Sequence, residues 1–248
     1  MQQLDSQLGL GRCRPRSSGI HGVGIAIAIL AALTTQARAD TIWQAGDVIT
    51  HRQDIWGDPN ESAGMLLDQQ FNFVYSSALV VGGTYRITFD GASDIHNYMP
   101  SSGPPASLSG SLGNPRSSVS GQFGGEVVAL KLNVDFSDAG HTLGALGVFF
   151  GDILIHSYAP LPQVNGLSVR QFLAQANTLL GGGTVGYTPA QANALAVQLN
   201  AAFGGGGLSP FANANLMLAP TSTVPEPSAF ALLLLGVGAL LVRLARRA

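Results

Sequence analysis

Four histidines, His51, His96, His141 and His156, lie between residues 40 and 207. A histidine metal site needs ligands at a spacing that lets them converge. No two of these stand four apart on a helix, and none sits in an HExxH or Cys/His pattern, so the spacing predicts no metal site and no cofactor. Carboxylates gather twice: Asp54, Asp58, Asn60 and Glu61 surround Trp56, and Asp135 and Asp138 follow Asn133. Oxygen-rich loops of this kind suit calcium. The competing reading makes Asp58 and Glu61 a helix start and Asp135 and Asp138 turn residues, and no EF-hand spacing or nonapeptide repeat accompanies them. Paired carboxylates are also what a glycosidase uses as acid and base, but nothing in the spacing selects a pair.

Nucleophilic chemistry has less to stand on. No G-x-S-x-G elbow occurs, and Ser109-Gly110-Ser111-Leu112-Gly113, which looks similar, lies in a low-complexity loop without a strand-turn-helix context. The glycine runs at 181–183 and 204–207 follow helical patterns and read as helix ends. A phosphate loop would precede a helix and carry a lysine. Trp43, Trp56 and Tyr98, if exposed, would stack on sugar rings; the alternative places them in a core. The residues therefore predict no catalytic constellation.

The elements that would carry these side chains can be read in order. Residues 41–51 suggest a lead-in strand. Asp58-Pro59-Asn60-Glu61 reads as a cap, a first-turn proline and a capping-box partner, opening an amphipathic helix over 59–75. Residues 79–89 read as a hairpin around Gly82-Gly83, with Tyr85, Ile87 and Phe89 on one face. A short helix over 93–99 ends at Pro100, and 100–125 reads as a long irregular loop. Val128, Leu130, Leu132, Val134 and Phe136 alternate with Ala129, Lys131, Asn133 and Asp135, which predicts a strand over 126–136, with a helix as the competing reading. A turn at 137–140 and a short strand at 153–155 follow. Ser168 with Gln171, and Thr188-Pro189 with Gln191, each open an amphipathic helix with a capping box, and the two helices are expected to dock as an antiparallel pair. The expected fold class is α+β, a small antiparallel sheet with amphipathic helices.

Composition bounds the function. The body at 40–224 holds five basic and twelve acidic residues, a formal charge of −7, against −2 for the whole chain. An acidic surface repels phosphates, which excludes a nucleic-acid partner. The single cysteine, Cys13, precedes this body, so disulfide and thiol chemistry are excluded from it.

Both ends are basic and apolar. Arg12, Arg14 and Arg16 precede an apolar run over 22–33, and Ala37-Arg38-Ala39 has the small-x-small cleavage pattern, which predicts a signal peptide over 1–39 cut before Asp40. At the other end, residues 228–242 carry no charge. Fifteen helical residues span roughly 22 Å. Leu244 and Ala245, with Arg243 snorkelling, bring the segment close to the ~30 Å hydrocarbon thickness. Arg243, Arg246 and Arg247 form a basic anchor that leaves the C-terminus in the cytoplasm. A buried core helix is the competing reading; a run without a polar face and with a basic end favours a transmembrane helix.

Pro225-Glu226-Pro227, the short apolar segment and the basic end occur in that order over 224–248, and together they resemble the PEP-CTERM sorting signal of Gram-negative bacteria. The resemblance implies recognition by an exosortase, a membrane protease that cuts near the triplet, and delivery to the cell surface or an exopolysaccharide matrix. It says nothing about what the body does. The body resembles an uncharacterised module of secreted bacterial proteins through Trp56-Gly57-Asp58-Pro59, the run from Gly124 to Val134, and the helix from Gln171 to Gly183. The expected organisation is a signal peptide at 1–39, an exported module at 40–207, a linker at 208–223 and the sorting signal at 224–248. The implied partners are the Sec machinery, the exosortase, the inner membrane in transit, and exopolysaccharide. The expected function is a non-enzymatic structural or adhesive surface protein. The alternatives are a secreted hydrolase of matrix polysaccharide and an uncut single-pass membrane protein.

Overall fold

The computed structural model describes residues 43–219. The expected signal peptide with Ala37 and Ala39, and the tail with Pro225, Glu226, Pro227, Arg243, Arg246 and Arg247, lie outside the described residues. Among the described residues no helix is long and apolar enough to cross a membrane.

The fold is α+β, with helices and two small sheets arranged around one long helix, α4 (Gln122–Asp138). This helix occupies the stretch whose alternation predicted a strand over 126–136, and the strand is corrected to a helix. The reason is its burial on almost every side. Phe123, Val127, Val128, Leu130, Leu132, Val134 and Phe136 are fully enclosed, and so are Asn133 and Ser137. Only Gln122, Lys131, Asp135 and Asp138 are more than slightly exposed. A helix packed all round has no polar stripe, so the period of 3.6 leaves no trace and a chance alternation dominates. The narrow open line is still visible in the Lys131–Asp135 ion pair at 2.8 Å, one helical turn apart.

Around α4 the chain first forms a short helix, α1 (Gln53–Gly57), and then α2 (Ser62–Val74). The second begins three residues later than the 59–75 expectation, and the expected capping box is absent. Asp58 instead accepts the Asn60 N–H at 2.9 Å, forming a turn ahead of the helix. That bond holds the Asp58 carboxyl below its ordinary range. The expected lead-in strand reduces to one isolated bridge between Thr50 and Gly204.

The hairpin forms as β1 (Leu79–Gly82) and β2 (Arg86–Phe89), with Leu79 opposite Phe89. Ile87 and Phe89 face the core, while Tyr85 stays half-exposed in the turn. Within the expected irregular loop, β3 (Leu112–Gly113) runs parallel to β2, so this sheet is mixed rather than purely antiparallel. The short helix α3 (Ala92–Tyr98) ends before Pro100.

The two capping boxes stand where the sequence puts them. Ser168 and Gln171 open α5 (Val169–Leu180), and Thr188 and Gln191 open α6 (Pro189–Asn200). Each of these helices packs more extensively on α4 than on the other. Part of the expected linker is folded: α7 (Pro210–Asn215) leads into β5 (Leu216–Met217), which pairs antiparallel with β4 (Leu154–Ile155). Leu216 is buried, and its carbonyl accepts the Trp43 indole N–H at 2.9 Å. The packed body thus runs past residue 207.

Candidate functional site

A polar network crosses the core where α4 meets α6. On α4, Glu126 and Asn133 stand two turns apart on one face; on α6, Asn193 and Asn200 do the same. Asn133 and Asn200 are fully buried and Glu126 nearly so. The Asn133 Nδ2 donates to Asn200 Oδ1 at 3.0 Å, and the Asn200 Nδ2 donates to Glu126 Oε2 at 2.8 Å. The other carboxylate oxygen of Glu126 accepts from Gln53 Nε2 at 2.9 Å. Gln53 lies against Gly125, where a Cβ would meet its Oε1 at 2.1 Å, so the glycine makes room for the network.

Glu126 is buried, and among the described residues no cation bonds its carboxylate. Burial pushes its carboxyl above the ordinary range, and bonds from Asn200, Gln122 and Gln53 pull it back part of the way. It lines a small cleft of about 240 Å³ with Arg52, Asp54 and Pro100.

The network also places His51. Asn133 Oδ1 accepts the His51 backbone N–H at 2.8 Å, and Asn133 Nδ2 donates to the His51 carbonyl at 2.8 Å. The Trp56 indole donates to the same Oδ1 at 3.1 Å, and its ring meets the His51 ring edge-on at 5.4 Å. On the other side, Thr50 bonds the Phe203 N–H and carbonyl through its side chain and backbone. His51 is 8% exposed, and burial holds its pKa below the ordinary histidine value.

Two adjoining clefts meet at His51. One, of about 430 Å³, runs past Arg52, Ile55 and Glu61; the other, of about 450 Å³, runs along α2 past Met65, Leu66 and Gln69 to His141 and Thr142. His51, Ser62 and Gly205 border both. Along the second cleft, His141 Nε2 and Thr142 Oγ1 are buried without a hydrogen-bond partner among the described residues.

Of the four histidines, the structure brings His51 and His141 to one cleft. His96 is held between the Gly57 carbonyl and Asp68, and His156 contacts Ser157. Among the described residues no group of three or more His, Cys, Asp or Glu side chains is arranged to hold a metal ion.

Comparison with protein-family models, curated proteins and solved structures finds no match.

Most of the carboxylates that suggested calcium or glycosidase chemistry have partners within the fold, while Glu61 lines the cleft beside Arg52. Asp135 accepts from the Tyr75 hydroxyl at 2.7 Å and pairs with Lys131; Asp138 and Asp152 share Arg170; Asp54 pairs with Arg52. Asn133, expected beside the first two in a turn, points into the core. Trp43, Trp56 and Tyr98 are buried, so none offers a sugar platform. Ser109 to Gly113 leads into β3 rather than a nucleophile elbow. Sequence reasoning missed the network itself. Its one available signal was the matching seven-residue spacing of Glu126 with Asn133 and of Asn193 with Asn200.

Proposed function

We propose that the chain is an exported, exosortase-processed protein of the cell surface or extracellular matrix, non-enzymatic and associated with exopolysaccharide. The observation that carries the reading is the order Pro225-Glu226-Pro227, uncharged apolar segment, then Arg243, Arg246 and Arg247, behind an N-terminal segment with the Ala37-Arg38-Ala39 cleavage pattern. From the fold it draws on the pairing of Asp135 with Lys131, of Asp138 and Asp152 with Arg170, and of Asp54 with Arg52, which occupies four of the body's carboxylates. Two carboxylates converging in a cleft lined by Trp43 or Trp56 would favour the hydrolase alternative, and both tryptophans are core residues.

The test is the intact mass of the protein recovered from its native culture, with medium, surface and inner membrane kept apart. A species running from Asp40 to near Pro225 outside the cell is the expected result. A species retaining residues 229–248 in the inner membrane overturns the reading and makes the chain a single-pass membrane protein.

A further inference from the structure

The groove centred on His51 has chemistry that selects its occupant. His51 is more than nine-tenths buried, yet neither ring nitrogen bonds a described residue, and the residue borders both clefts. Neither nitrogen is a sealed, unpaired atom, so the polar edge of His51 is reachable and can meet a ligand in the groove. Along the groove runs a stripe of α2: Ser62, Met65, Leu66 and Gln69, at the spacing of one helix face. One turn further on the same stripe is Phe73, 74% exposed, its ring edge-on to His141 at 5.4 Å.

The polar members of this lining are mostly neutral groups that both give and take hydrogen bonds, and aliphatic carbons lie between them. Arg52, the cation of the lining, pairs with Asp54 through Nε and one Nη, and Glu61 stands in the same cleft, so the groove has no net positive charge to favour an anion. A hydrocarbon would leave His51 and Gln69 unsatisfied. A neutral sugar chain matches both requirements, because its hydroxyls are donor and acceptor together and its ring faces carry C–H groups that pack on aliphatic and aromatic carbon. From Ser62 to Phe73 the stripe extends about 16 Å, which suits an oligosaccharide rather than a single sugar.

We infer that this groove binds a segment of neutral polysaccharide, with His51 as its hydrogen-bonding centre and Phe73 as its aromatic platform. The assignment deepens the matrix-associated reading and rests on it for where such a chain is met.

The experiment measures binding of the full chain, purified from its native host, to neutral linear hexasaccharides of glucose, mannose and N-acetylglucosamine, with a uronate hexamer as the charged control. Binding of at least one neutral hexamer is expected, and Phe73→Ala should weaken it about tenfold, the scale of a lost aromatic platform. His51→Gln should weaken it similarly, with the backbone clamp by Asn133 retained. Phe73 is exposed, so its variant keeps the native melting temperature and the result is interpretable even if the His51 variant is unstable. Failure to bind any neutral hexamer, preference for the uronate, or neutral binding unaffected by Phe73→Ala each overturns the assignment. The outcomes separate from those of the parent reading. A matrix-located protein with an inert groove sinks only the groove, and a sugar-binding protein left uncut in the inner membrane sinks only the sorting.

Discussion

Asn133 grips both backbone groups of His51, a residue 82 positions earlier, accepting its N–H and donating to its carbonyl at 2.8 Å each. One side-chain amide thereby stitches the segment ahead of α1 to the central helix. It takes the place of a strand neighbour in a stretch that has no sheet partner beyond a single bridge. Removing the amide leaves the His51 N–H and carbonyl, the Trp56 indole and Asn200 short of a partner inside the core. Asn133→Ala should therefore cost about 3 kcal/mol or more, because each buried group left unpaired costs roughly 1–3 kcal/mol. The midpoint of urea unfolding reads this directly. A loss below about 1 kcal/mol would show that water or relaxation replaces the clamp.

Gly64 reverses an ordinary rule. Alanine in place of a helical glycine normally stabilises by up to about 1 kcal/mol. Here a Cβ would lie 1.9 Å from the Asp58 carbonyl oxygen, where the turn before α2 folds over the helix. Gly64→Ala should destabilise by about 2 kcal/mol, the scale of overpacking. Gly186 is the control: nothing lies within 4 Å of its added Cβ, and Gly186→Ala should stay within about 0.5 kcal/mol of the parent. Paired thermal melts of the two variants decide the point.

The helix starts at Ser168 and Thr188 each carry a reciprocal capping box. Ser168→Ala and Thr188→Ala should each cost about 1 kcal/mol. Asp58→Ala, by contrast, removes a turn rather than a cap, because α2 has no side-chain cap. Its effect should be the smallest of the three in the same unfolding assay.

Glu126 and His51 should make stability depend on pH in opposite ranges. The folded chain raises the Glu126 carboxyl, chiefly by burial, with Asp54 adding repulsion across the cleft. The folded state then holds the proton more tightly than the unfolded one. Stability relative to Glu126→Gln should fall as pH rises from the ordinary glutamate value through the raised one. His51 is lowered by burial, so the unfolded chain takes the proton first. Stability relative to His51→Gln should fall as pH drops through 6.5, the ordinary histidine value. Unfolding free energies of parent and variants across this range test both signs, and a pH-independent difference would remove the corresponding group from the account.

Much of the periphery was legible from local chemistry. The boxes at Ser168 and Thr188, the hairpin around Gly82 and the stop at Pro100 are each decided within a few residues. The backbone groups they satisfy are near neighbours in sequence. Ala192, Leu195, Ala196 and Leu199 showed their core face because α6 keeps one side in solvent. The proposed sorting signal likewise rests on the amino acids alone, an apolar segment bounded by a triplet and arginines, and lies outside the described residues.

The centre was decided only by folding together. A helix enclosed on all sides gives no amphipathic pattern, so α4 imitated a strand. The polar residues that broke its periodicity, Glu126 and Asn133, are inside because Asn200, Gln53 and His51 arrive from distant parts of the chain to bond them. Trp43 and Trp56 are core rather than surface for the same reason: their indole N–H groups find the Leu216 carbonyl and Asn133 across the fold. Satisfaction of a buried polar group is a property of where other segments lie. That is information a linear spacing does not contain.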